Sequence, residues 1–257
     1  MTVSYSTQHP DESLNAFVFS FWKTENEHLS DCQYTVFPDA GIELIAYVYP
    51  DRPVRIRLFG LSTQAIDVTV PGRAVLFGVR FTLLGADYSL PHKLTINSSQ
   101  EMAEGFWDVD VDASTTLNDF ANAVSTQIRE RISTVAVDSR KKKLLARIHS
   151  AEHVLSVRKL SVEVGWGERQ INRYFTKTFG LPLKRYMEQL AFFASMKQLG
   201  GGQFVHPHYY YDQSHFIRQV KRYTGTTPNQ IYQKRNDRFL QLSDQSANPA
   251  MDAAEGR

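Results

Sequence analysis

Cysteine is nearly absent from this chain of 257 residues: Cys32 is the sole one. A single cysteine cannot close a disulfide within the chain, and no cluster of Cys and His has the spacing of a metal site. Long apolar runs are missing as well. No stretch approaches the roughly 18 consecutive apolar residues of a membrane helix. The segment from Met1 to Pro10 lacks the basic start and apolar core of a secretory signal. The expected compartment is the cytosol. Catalytic signatures are equally scarce. There is no Ser/His/Asp spacing pattern, no Gly-rich phosphate loop and no His-Glu zinc motif. His206, His208 and His215 lie close together, but no carboxylate or cysteine joins them at ligand spacing. Neither an enzyme, a metal nor a cofactor is expected.

What is present is charge, unevenly distributed. The formal net charge is only +2. Residues 138–240 nevertheless hold 19 Lys and Arg against 7 Asp and Glu, a balance of +12, while the remainder holds 10 against 20. An acidic part and a basic part in one chain point to a polyanionic partner for the basic part, although a merely solvated basic surface would look the same.

The pattern of apolar residues divides the chain in the same place. Short β-prone runs cover Gln33 to Phe37, Glu43 to Val48, Arg55 to Leu61, Ile66 to Val70 and Ala74 to Phe81. Breakers such as Pro38-Asp39-Ala40-Gly41 and Pro71-Gly72 separate them. Helical spacing predicts one helix before them, Glu12 to Trp22, with Leu14, Phe17, Val18 and Phe21 on one face. It predicts another after them, Leu117 to Ile132. Three divisions are expected: a β-rich domain over 1–137, an all-α basic domain over 138–240, and a polar tail over 241–257 without periodicity. The fold class is thus α+β.

The basic part contains an internal repeat. From Arg169 to Phe179, the residues Ile171, Tyr174, Phe175 and Phe179 make one apolar face. Arg169, Asn172, Arg173 and Thr176 make the opposite one. Forty-five residues later Ser214, Ile217, Arg218 and Lys221 repeat that outer spacing, with Phe216, Val220 and Tyr223 behind them. A glycine closes each copy, Gly180 and Gly225, with a proline close behind. One amphipathic helix is commonly just a surface helix. Two in register, both in the basic part, favour a pair of DNA-reading helices. Such a helix fits the major groove, where Arg bonds guanine and Asn bonds adenine bidentately. Ahead of the first copy a supporting helix with Leu160 and Val164 stops at Gly165, as a helix-turn-helix requires. Between the copies, Lys184 to Leu199 reads as one long connecting helix. Ahead of the second copy the support is broken by Gly200-Gly201-Gly202 and Pro207, residues that cost about 1 and 3 kcal/mol in a helix.

Residues from about Arg140 to Tyr232 resemble the DNA-binding domain of the AraC/XylS family. The resemblance is carried by Leu160, Gly165, Arg169 to Phe175, Gly180-Leu181, Lys184-Arg185-Tyr186, Tyr210 to Phe216, Lys221 to Gly225 and Thr227-Pro228. It implies two helix-turn-helix units joined by a linker helix and entering successive major grooves. Arg169, Asn172 and Arg173 would reach bases from the first helix, and Gln213, Ser214, Ile217 and Arg218 from the second. Lys177, Lys184, Tyr211, Lys221 and Arg222 would meet phosphates, which position rather than specify. Ala191 stands where the family commonly carries Arg. Phe37 to Leu44 and Gly78 to Phe81 are similar to motifs of one subgroup with a β-rich N-terminal domain. That likeness implies a regulator sensing a small molecule, forming a homodimer, or both, and working with RNA polymerase. Asp39, Glu43 and Arg80 are the polar candidates for an effector pocket. Equally, Asp39 can be a turn residue and Arg80 a structural partner of Glu43. The competing reading is a protein-interaction module whose impaired second unit leaves it acting through another regulator.

Overall fold

A computed structural model describes residues 3–90, 94–103, 105–150, 155–200, 210 and 212–233. The broken support at 201–209, Tyr211 and the tail over 241–257 lie outside the described residues. The order of elements is a β-rich part followed by helices, as the composition predicts.

Two compact units emerge. The first comprises residues 1–33, 41–61 and 69–142, and the second 34–40, 62–68 and 143–257. The first is built on a six-stranded sheet of β1 (Ser4–Gln8), β2 (Val18–Glu25), β4 (Ile42–Val48), β5 (Arg55–Phe59), β7 (Val75–Phe81) and β8 (Ser99–Glu101). Its spatial order is β1-β2-β7-β4-β5-β8, with antiparallel neighbours throughout. Helix α1 (Leu83–Ser89) follows β7 directly, with Thr82 capping the Gly85 amide at 3.0 Å. Helix α2 (Leu117–Ser133) turns Phe120, Ala121, Val124 and Ile128 inward. Phe120 meets Phe77 and Phe21 with centroids 5.2 and 6.3 Å away. On the other sheet face the Trp22 indole lies against Gly78, where an added Cβ would sit 2.1 Å from the ring. A glycine mid-strand here marks close approach rather than a turn.

The helix expected over Glu12 to Trp22 is absent. Glu12–Leu14 is a single 3-10 turn capped by Asp11, and β2 begins at Val18. The i, i+3, i+4, i+7 spacing of Leu14, Phe17, Val18 and Phe21 fits a helix. A dense apolar run buried on both faces fits a central strand equally, and periodicity alone cannot separate the two. The run Val-Phe-Ser-Phe-Trp pairs with β1 on one side and β7 on the other, which settles it as strand. β1, β8 and α1 were also not expected from the sequence. The five predicted runs do form strands, including β3 (Cys32–Val36) and β6 (Ile66–Val70), which make a separate two-stranded sheet.

The helical part comprises α3 (Ser139–His149), α4 (Val157–Val164), α5 (Glu168–Phe179), α6 (Leu183–Gly200), α7 (Gln213–Thr224) and α8 (Pro228–Gln233). Its central element is α6. Tyr186, Met187, Gln189 and every residue from Ala191 to Met196 are buried, and a helix apolar on most sides belongs inside a core.

Candidate nucleic-acid interface

The first helix-turn-helix is built locally. Ser156 starts α4 by accepting the Lys159 amide at 3.1 Å, and Leu160 and Val164 are buried. The chain then turns at Gly165, whose φ of 63° is left-handed and suits glycine. Gly167 lacks a capping side chain, and Gln170 reaches back to accept its N–H at 3.2 Å, which satisfies one of the free amides at the helix start. Ile171, Phe175 and Phe179 are fully buried. Phe175 lies 4.7 Å from Phe179 and 5.3 Å from Tyr186, ring to ring. Trp166 covers Tyr174 at 5.2 Å. An ion pair of 2.8 Å from Arg147 to Glu163 ties α3 to α4.

The second helix of the repeat, α7, matches α5 in length, 12 residues each. Asp212 caps it, accepting the His215 amide at 2.7 Å, a contact that typically contributes about 1 kcal/mol. Phe216, Val220 and Tyr223 are buried, and Gly225 closes it at φ 73° just as Gly180 closes α5 at φ 82°. Tyr210 packs on Phe216 and His215 at 5.3 and 5.4 Å. Burial pushes the phenols of Tyr210 and Tyr223 up to about 12, because the charged phenolate would lose its hydration there.

The opposite faces are open. Arg169, Arg173, Thr176, Lys177 and Lys184 are exposed and Asn172 is half-buried. On α7, Gln213, Ser214, Ile217, Arg218, Lys221 and Arg222 are exposed. An isoleucine 37% exposed on a basic face suits contact with a thymine methyl rather than a core. Arg222 is partly engaged already: Glu188 lies 3.9 Å away and also pairs with Arg185 at 3.4 Å. Ala191 is buried in the linker helix.

Glu43 and Arg80 stand opposite each other on β4 and β7, with 3.4 Å between Arg80 Nη1 and Glu43 Oε1. The Arg80 guanidinium also covers Gly41 and lies 5.7 Å from the Phe19 ring. Asp39 falls in the segment 34–40, grouped with the helical unit. Among the described residues no group of three His, Cys, Asp or Glu is placed to hold a metal, and no helix is long and apolar enough to cross a membrane.

Sequence reasoning missed the residues that close the core behind α7. Phe37, buried, joins Phe192, Met196, Phe216, Val220, Tyr223 and Ile231 in one cluster. The Ala65 amide donates to the Tyr223 carbonyl at 2.9 Å. Phe37 lies 179 positions before Phe216, and nothing local in its sequence signals that partnership.

The family match is partial. A family described as a domain of unknown function (DUF6597) matches residues 6–95. Comparison with curated protein sequences gives no match. Among solved structures the chain is similar to ToxT from Vibrio cholerae, at 11% identity and a TM-score of 0.41 over 90% of this chain and 96% of that one. ToxT bound to (E)-4-(8-methylnaphthalen-1-yl)but-3-enoic acid gives 12% and 0.41, over 90% and 97%. Unsaturated fatty acid-bound ToxT gives 9% and 0.39, over 90% and 94%.

Proposed function

We propose that this protein is a sequence-specific transcription regulator of the AraC/XylS type, reading duplex DNA through α5 and α7. The observation that carries this reading is the repetition of one design. Two 12-residue helices each bury an aromatic-rich back and expose a polar face bearing Arg at the same position, Arg173 and Arg218. Arg169, Asn172, Arg173, Gln213, Ser214, Ile217 and Arg218 take base edges. Lys177, Lys184, Tyr211, Lys221 and Arg222 take phosphates. The β-rich unit supplies sensing of a small molecule or homodimerisation, with Glu43 and Arg80 as its polar contacts, and RNA polymerase is the downstream partner. The work is done in the cytosol, without enzymatic chemistry.

Selection of duplexes from a random pool tests this. The expected product is a two-part motif whose halves lie about one helical turn, roughly 10.5 bp, apart. Arg173→Ala should relax one position of one half, at a cost of about 1–3 kcal/mol, with the fold unchanged. A salt-sensitive protein that selects no motif would instead favour the protein-interaction reading, because phosphate contacts alone carry no sequence preference.

A further inference from the structure

We infer that Phe37 and Ala65, residues of the N-terminal half, are positioning residues for the second DNA-reading helix. The inference rests on the DNA-binding reading above. Any recognition helix needs a rigid surface behind its apolar face, since a small misplacement spoils bidentate base contacts. For α5 that surface includes the local helix α4, whose Leu160 and Val164 are buried. Among the described residues, the buried neighbours behind α7 come from α6, α8 and a segment far upstream, with Tyr210 packed beside them. Phe37, 3% exposed, completes the cluster formed by Phe216, Val220 and Tyr223 of α7, Phe192 and Met196 of α6, and Ile231 of α8. Ala65 packs on the same cluster.

The backbone contact is specific as well. The carbonyls in the last turn of an α-helix have no partner within the helix. The Tyr223 carbonyl, next to the end of α7, accepts the Ala65 N–H at 2.9 Å. A second tie runs from the Gln189 side-chain amide of α6 to the Ser62 carbonyl. The two upstream segments are themselves joined by the Thr35 hydroxyl, which donates to Asp67 at 2.8 Å. Residues 34–40 and 62–68 are therefore part of the unit that holds α7. The N-terminal half does not merely precede the DNA-binding region. It furnishes part of the seat of one reading helix, so the angle of α7 and hence the second half of the motif depend on it.

The test uses the full chain carrying Phe37→Ala or Phe37→Leu, followed by amide hydrogen exchange over 213–224 and 168–179. Phe37→Ala is expected to speed exchange across 213–224 at least tenfold and leave 168–179 unchanged, and Phe37→Leu to restore most of the protection. In selection from random duplexes, Phe37→Ala should keep the half-motif read by α5 and lose preference in the other half. Equal acceleration of both helices would show that Phe37 only supports folding generally, and unchanged exchange in both would also overturn the inference. If Phe37→Ala does not fold, Ala65→Pro removes the N–H donor, while also fixing φ at about −65° and restricting Gln64, and should loosen the last turn of α7 selectively; unchanged exchange there overturns the inference too. A wild-type chain that selects no duplex motif defeats the DNA-binding reading alone, and the exchange data still decide whether these residues hold α7.

Discussion

Two neighbouring residues of α5 offer a sharp test of which way the helix faces. Phe175 is fully buried, with the rings of Phe179 and Tyr186 at 4.7 and 5.3 Å. Thr176, the next residue, is exposed. Replacing a buried Phe by Ala costs about 3–5 kcal/mol, the loss of transfer energy plus the cavity that remains. The upper part of that range is expected, because the surrounding rings sit on two different helices and cannot both collapse into the gap. Thr176→Ala should change stability by less than about 0.5 kcal/mol; alanine's better helix propensity offsets the removal of a solvated hydroxyl and methyl. With a denaturant slope of about 1–3 kcal/mol per molar urea, Phe175→Ala should lower the midpoint by about 1–5 M. Trp166, stacked at 5.2 Å from Tyr174, reports unfolding of the helical unit by fluorescence. The other two of the three tryptophans, Trp22 and Trp107, belong to the first unit, and the difference between this chain and a Trp166→Phe chain isolates the Trp166 signal. A loss below about 1 kcal/mol for Phe175→Ala, or equal losses for the two variants, would refute the assignment of faces on which the DNA-reading argument depends.

Two further outcomes follow from backbone and burial. Gly165→Ala meets no atom within 4 Å of the new Cβ, so its cost is confined to the left-handed φ of 63° and should be about 1–2 kcal/mol; urea unfolding monitored at Trp166 measures it, and a neutral result would mean that the turn does not require glycine. Tyr210 and Tyr223 are raised from 10.0 to about 12 by burial. The unfolded chain therefore releases these protons first, so the stability they contribute is intact below pH 10 and declines as pH rises toward about 12. Phenolate absorbance during alkaline titration should show these two among the late members of the 12 tyrosines, and ordinary titration of both would contradict their burial.

Helices α5 and α7 were legible because their signals are local. The apolar back and polar front of α5 recur at one helical period, and Gly165, Gly180 and Gly225 mark the ends. Breakers likewise delimit β4, β5 and β7, whose short runs of β-prone residues need no distant partner to be read. The segment Glu12 to Trp22 shows where such reading stops. Its apolar spacing serves a helix or a central strand equally, and only pairing with β1 and β7 made Val18–Glu25 a strand. Pairing partners set strand identity, and they lie outside any sequence window.

The basic balance of residues 138–240, the doubled polar helix face and its Arg173 and Arg218 are determined by the sequence itself, because periodicity and charge act over a few helical turns. What only the tertiary structure decided is what stands behind the second of those faces. Burial is a property of contacts without regard to separation along the chain. Phe37 could read as one more strand residue until folding brought it to Phe216, Val220 and Tyr223.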